Sequence, residues 1–107
     1  MSSSAATGPR ASDPVAVDPK HYTVEFEDDR VRVLRIRYGP GERSTMHSHP
    51  QAIAVMLTDA NIRMTYPDGT TEDMQVGPGT VLPMPGVEHL PENLSDRGFE
   101  AIEVELK

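Results

Sequence analysis

Apolar residues in this chain recur at every second position, in short runs that end on Gly, Pro, Asn or Asp. Tyr22, Val24 and Phe26 alternate with Thr23, Glu25 and Glu27. Ile62, Met64 and Tyr66 alternate ahead of Pro67-Asp68-Gly69, and Ile102, Val104 and Leu106 close the pattern. A period of two puts successive side chains on opposite faces of a strand. No stretch carries the 3.6-residue period of an amphipathic helix. Runs spaced about 8 to 12 residues apart read as an all-β sandwich or barrel. Closing the sheet into a barrel or jelly roll also limits exposed edges. Within the second run Val31 and Val33 share one parity and Leu34, Ile36 and Tyr38 the other, which predicts a bulge between Val33 and Leu34.

At 107 residues the chain fits one domain with a modest core. Its formal charge of −7 argues against nucleic acid, because phosphate backbones select clustered Lys and Arg. No apolar run approaches the ~20 residues of a membrane span. Cysteine is absent, so disulfides and thiolate metal sites are excluded. Residues 1–20 lack the hydrophobic segment of a secretion signal, and a cytoplasmic protein is expected. Residues 1–18, rich in Ser, Ala and Pro, read as a disordered or loosely docked arm, and residues 19–107 as the barrel.

Three of the four histidines fall in two short segments, His47-Ser48-His49 and His89. Residues i and i+2 on a strand face the same way, so His47 and His49 can converge on one metal ion. His89 from a neighbouring strand would complete a facial triad. If the strand continues through Pro50, Gln51, Ile53, Val55 and Leu57 also point inward. Ala52, Ala54 and Met56 then point outward and suggest a covered face, a homodimer interface first. Gln51 is expected to line the pocket or to sit behind the ligands. Tyr66 is expected in the core or as a proton donor at the site, and these two are the candidate catalytic residues. Glu88 should face solvent, His21 should be a surface residue, and the methionines should fill core.

The segment Gly41-x5-His47-x-His49 resembles the first motif of the cupins. Gly79-x5-Pro85, followed by Gly86, His89 and Asn93, resembles the second. The pattern is similar to small single-domain bacterial cupins of the cupin-2 type, some of them β-alanine degradation proteins. This resemblance implies a double-stranded β-helix of six to eight antiparallel strands, usually dimeric, with a divalent metal inside. Ile53 and Ala54 stand where cupins usually carry a glutamate, and Ala60 and Asn61 where a glycine closes the first motif. The spacing from Pro85 to His89 is one residue short. The ion would thus be held by His47, His49 and His89 without the acidic fourth ligand.

Three neutral imidazoles leave the ion's charge uncompensated and several positions open, which favours small anionic chelators. Iron would give dioxygenase chemistry. Zinc, nickel or manganese would polarise a carbonyl for isomerase or lyase chemistry. Dioxygenase stands slightly ahead, and a non-catalytic metal- or metabolite-sensing barrel is the alternative.

Overall fold

The computed structural model describes residues 12–107. One short helix, α1 (Pro14–Val17), precedes nine strands: β1 (Tyr22–Glu27), β2 (Val31–Tyr38), β3 (His47–His49), β4 (Ala52–Met56), β5 (Ala60–Thr65), β6 (Thr71–Val76), β7 (Val81–Met84), β8 (Val87–Asn93) and β9 (Phe99–Leu106). Every ladder is antiparallel. A five-stranded sheet of order β1-β2-β9-β4-β7 faces a four-stranded sheet of order β3-β8-β5-β6. This is the expected all-β jelly roll, with nine strands rather than six to eight. Among the described residues no helix is long and apolar enough to cross a membrane.

The turns form where their residues dictate. Gly41 and Gly79, the glycines of the two motifs, hold φ of 69° and 81°, a region that a Cβ disfavours. Asp68 accepts the Thr70 N–H at 3.0 Å and closes the β5–β6 hairpin. Between the sheets, Leu34, Ile36, Met56, Ile62, Phe99 and Ala101 form the apolar core with Tyr22 and Tyr38. Full burial of a side chain such as Leu34 contributes about 1.5–3 kcal/mol.

Two expectations are corrected. The bulge lies across the ladder from its expected place: β1 shifts register between Val24 and Phe26, opposite Leu34 and Val33. The reason is position. β2 pairs with β9 over its whole length, whereas β1 is an edge strand with one neighbour and absorbs the irregularity. Tyr22 alone of the β1 alternation is therefore buried, and Phe26 is 54% exposed.

The chain from Ser44 to Leu57 does not run as one strand. Pro50 and Gln51 separate β3 from β4, and the parity reverses there. Ala52, Ala54 and Met56 are buried and Ile53 and Leu57 are exposed, so the argument for a covered face at the alanines falls away.

In β9 the apolar residues Ile102, Val104 and Leu106 face outward, while Phe99, Ala101, Glu103 and Glu105 face the interior.

Of the segment read as an arm, residues 1–11 lie outside the described residues, and residues 12–18 lie against the barrel. The Ser12 carbonyl accepts the Ser48 N–H at 2.9 Å, and Asp13 is buried against Arg32.

Candidate metal centre

His47 and His49 leave β3 on one face, with Ser48 between them on the other, and β3 pairs with β8 so that His47 stands directly opposite His89. The three rings meet nearly edge to face, with centroids 4.8, 4.9 and 5.0 Å apart. All three are buried, His47 completely. One ligand-type nitrogen from each lies within 4.8 Å of the other two. The structure thus brings together the trio expected from spacing alone.

Hydrogen bonds on the far side of the rings fix which nitrogen looks inward. His47 Nδ1 donates to the Thr45 carbonyl at 2.8 Å and lies 3.2 Å from Ser44 Oγ. His49 Nδ1 is 2.9 Å from Glu103 Oε2 and 3.3 Å from Glu105 Oε2. With Nδ1 occupied, Nε2 is the free atom on each ring. Nε2 of His47 and of His89 are buried without a hydrogen-bond partner among the described residues. A buried polar atom left unsatisfied costs about 1–3 kcal/mol, and two such lone pairs beside a third imidazole fit a cation of the imidazole-seeking class.

The carboxylates were not anticipated. Glu103 and Glu105 are 1% and 2% exposed. They reach His49 from β9 in the facing sheet, so the centre spans both layers. Arg32 Nε holds the other oxygen of Glu105 at 2.9 Å and pairs through both terminal nitrogens with Asp13 at 2.8 and 2.9 Å. Among the described residues the ion-pair partner of Glu103 is the His49 ring. The signal available in the sequence was parity: both glutamates share the phase of Phe99 and Ala101.

His21, expected at the surface, is buried and stacks on Tyr38 at 4.2 Å. Its ring nitrogens face Asp18 at 2.8 Å and Glu42 at 2.9 Å. Asp18 also accepts from Ser44 Oγ, so a polar chain runs from His21 to His47. Gln51 is exposed beyond Pro50 and lines no cavity. Glu88 is exposed, as expected. Asn93 is a structural clamp: its amide donates to the carbonyls of Gly39 and Arg97 at 3.0 and 2.8 Å.

His49 and His89 open onto a cavity of about 370 Å³, within the range of small-molecule sites. Methionines 56, 64, 74 and 84 line it with Tyr22, Tyr38 and Phe99. The methionines are thus cavity wall as well as core. No lysine or arginine is among its lining residues. Tyr22 and Tyr38 bond each other at 2.7 Å. Burial raises both phenols above their ordinary value and keeps them protonated. Tyr66 also lines the cavity, and its hydroxyl donates to Glu72 at 2.7 Å.

The histidines titrate in opposite directions. Burial pushes His47 down to about 4, helped by the charge on His49. Burial lowers His89 to about 3, with His49 and His47 adding to it. Burial acts the same way on His49, but the adjoining carboxylates of Glu103 and Glu105 outweigh it and carry the ring up to about 9. Stability of the metal-free protein is therefore expected to peak near pH 6.5, the ordinary histidine value. His49 favours its proton in the fold, so its contribution is complete below about 6.5 and is lost as pH rises through about 9. His47 and His89 resist protonation, so stability also falls as pH drops from about 6.5 through about 4 and 3. Thermal melts of metal-free protein between these limits read this directly. A Tm that climbs steadily from pH 6.5 to 9 would contradict the state assigned to His49.

No protein-family model matches the sequence, and no curated protein does. Solved structures do. A cupin domain from Bordetella pertussis Tohama I is 32% identical, with 80% of this chain and 91% of that chain covered and a TM-score of 0.75. A cupin with a double-stranded β-helix fold, described as RmlC-like, from Methanocaldococcus jannaschii is 18% identical, with 83% of each chain covered and a TM-score of 0.62. A polyketide cyclase from Streptomyces resistomycificus is 17% identical, with 79% of this chain and 63% of that chain covered and a TM-score of 0.59. The last two share the fold alone, and none of the three is described by β-alanine. Extended identity to the Bordetella domain, both histidine motifs on adjacent strands and a double-stranded β-helix lead to one assignment: the chain belongs to the cupin family.

Proposed function

We propose that the protein is a metal-dependent cupin enzyme. His47, His49 and His89 would hold a divalent iron, zinc, nickel or manganese ion at the wall of the apolar cavity. The substrate would be a small organic molecule, largely apolar, that reaches the ion through one anionic oxygen group. The observation carrying this reading is the pair of buried, unpartnered Nε2 atoms on His47 and His89 beside the third ring. The cavity wall supports the apolar body of the substrate, because it offers thioethers and aromatic rings and no lysine or arginine. An anionic group would therefore find its counter-charge at the ion.

Bound iron(II) would supply dioxygen activation, and zinc, nickel or manganese Lewis-acid polarisation of a carbonyl. Dioxygenase chemistry stands ahead because the phenols at the wall are ill suited to proton abstraction. Tyr22 and Tyr38 are held protonated against each other, and Tyr66, the remaining candidate proton donor, is engaged by Glu72. In this reading the protein's own groups bind, orient and exclude water. The polyketide cyclase among the similar folds supports the second reading, isomerase, lyase or cyclase chemistry at a redox-inert ion.

A homodimer is part of the proposal. Phe26, Val33, Val104, Ile53 and Pro83 form one cross-strand row over the outer face of the five-stranded sheet. Ile53 is 40% exposed in the single chain. A second copy of this face would cover it.

Protein purified without a histidine tag tests these statements together. Elemental analysis is expected to find stoichiometric metal. Oxygen uptake with an apolar carboxylic or α-keto acid is expected for the iron form. Zinc or nickel without oxygen uptake moves the weight to the Lewis-acid enzyme, and tight ligand binding without turnover of any kind to a sensing barrel. Sedimentation of the same sample as a monomer at tens of micromolar removes the dimer.

A further inference from the structure

Glu103 is a buried carboxylate whose ion-pair partner among the described residues is the His49 ring. It is 1% exposed, and its Oε2 has no hydrogen-bond partner among the described residues. That oxygen nevertheless stands 2.9 Å from Nδ1 of His49. The neighbouring Glu105 is different, for its Oε1 is held by Arg32 and its Oε2 accepts the His49 N–H. Glu103 Oε2 and Glu105 Oε2 thus both face the one N–H of His49, and that ring packs against His47 and His89.

The register shows how the side chain comes to be there. Glu103 in β9 pairs directly with Ala54 in β4 and with Leu34 in β2. Side chains so paired point the same way and sit about 5 Å apart at Cβ. Ala54, buried and ending at Cβ, leaves the space in front of Glu103 open, and both residues line the cavity. Ala54 is also one of the two positions at which the sequence departs from the cupin pattern by lacking an acid.

We infer that Glu103 is the acidic group of this metal centre, acting across the β4–β9 pair and through His49 rather than by direct ligation. It bears on the His49 ring at Nδ1 beside Glu105 and adds a negative charge that Arg32 does not already hold. A carboxylate behind a ligating histidine raises the basicity of the ligand, and its loss lowers metal affinity about 10- to 100-fold. Glu103 is on this account a positioning residue. The inference rests on the proposed metal centre, and its failure is separable from the failure of that proposal.

The experiment measures Zn²⁺ affinity by competition with a chromophoric chelator, and the Co²⁺ absorption spectrum, for wild type, Glu103→Gln and the double variant Ala54→Glu/Glu103→Gln. Glu103→Gln keeps the shape and removes the charge. It is expected to bind Zn²⁺ about 10- to 100-fold more weakly and to shift the Co²⁺ bands. The double variant returns a carboxylate to the same space from the opposite strand and is expected to recover most of the affinity. Where Glu103→Gln does not fold, the double variant decides: tight binding supports the inference, and a folded double variant with weak binding overturns it. Equal affinity in wild type and Glu103→Gln overturns the role of Glu103 and leaves the metal centre standing. Wild type that takes up neither ion overturns both.

Discussion

His47→Ala is expected to abolish stoichiometric metal binding while leaving a folded barrel. His47 is the fully buried member of the trio and stands directly opposite His89 in the β3–β8 ladder. Its ring also lies edge-on to Tyr22 at 4.8 Å. The substitution removes one of three nitrogen donors, and two imidazoles alone do not make a facial site. The fold should survive because the core proper, around Leu34, Ile36, Met56 and Phe99, does not depend on the ring. The space left behind costs stability of the order seen for buried ring truncations, about 3–5 kcal/mol at most. Part of this returns because an unsatisfied Nε2 disappears with the ring. Elemental analysis and far-UV circular dichroism of tag-free protein read the two halves of the expectation. Full metal occupancy in a folded His47→Ala protein would remove His47 from the ligand set.

A large loss of stability is expected from Arg32→Ala. The guanidinium ties three parts of the chain together: Asp13 at the start of α1, β2 on which it sits, and Glu105 in β9. Asp13 and Glu105 are both buried, and Asp13 also caps α1 by accepting the Val15 N–H at 3.1 Å. Removing the cation takes a charged partner from each of two buried carboxylates. Breaking a buried pair on one side costs about 3–5 kcal/mol. The lower end applies, since 13% of the Arg32 side chain still meets solvent. In a domain of this size about 3 kcal/mol corresponds to a fall in Tm of roughly 12–24 °C. Thermal melts of wild type and variant at neutral pH provide the check, and a Tm within a few degrees of wild type would contradict the account. Arg32→Lys should recover only part of the loss, because an ammonium cannot engage Asp13 through two parallel bonds.

The facing of β4 and that of β9 were hidden from the sequence for different reasons. In β4 every residue from Ala52 to Met56 is apolar, so its sequence carries no contrast between the two faces. The inference had to be carried from His49 through Pro50, which is where the chain breaks parity. In β9 a contrast exists, Ile102, Val104 and Leu106 against Glu103 and Glu105, and the ordinary rule buries the apolar set. The rule fails because the glutamates meet buried partners. Arg32 is 73 residues away from Glu105 in the chain and His49 is 56. His21 was misplaced for the same reason, since one of its carboxylate partners, Glu42, lies 21 residues on.

What the sequence determined by itself is local. Alternation marked the strands, Pro67-Asp68-Gly69 and the motif glycines marked turns, and His-x-His put two imidazoles on one face, because each depends on backbone geometry within a few residues. The tertiary structure alone decided which face of β4 and β9 is inside, and hence that buried acids stand behind His49. Those outcomes depend on charge and hydrogen-bond partners that only the closed pair of sheets brings within 3 Å or so of one another, and burial of a charge is settled by its partners rather than by its own chemistry.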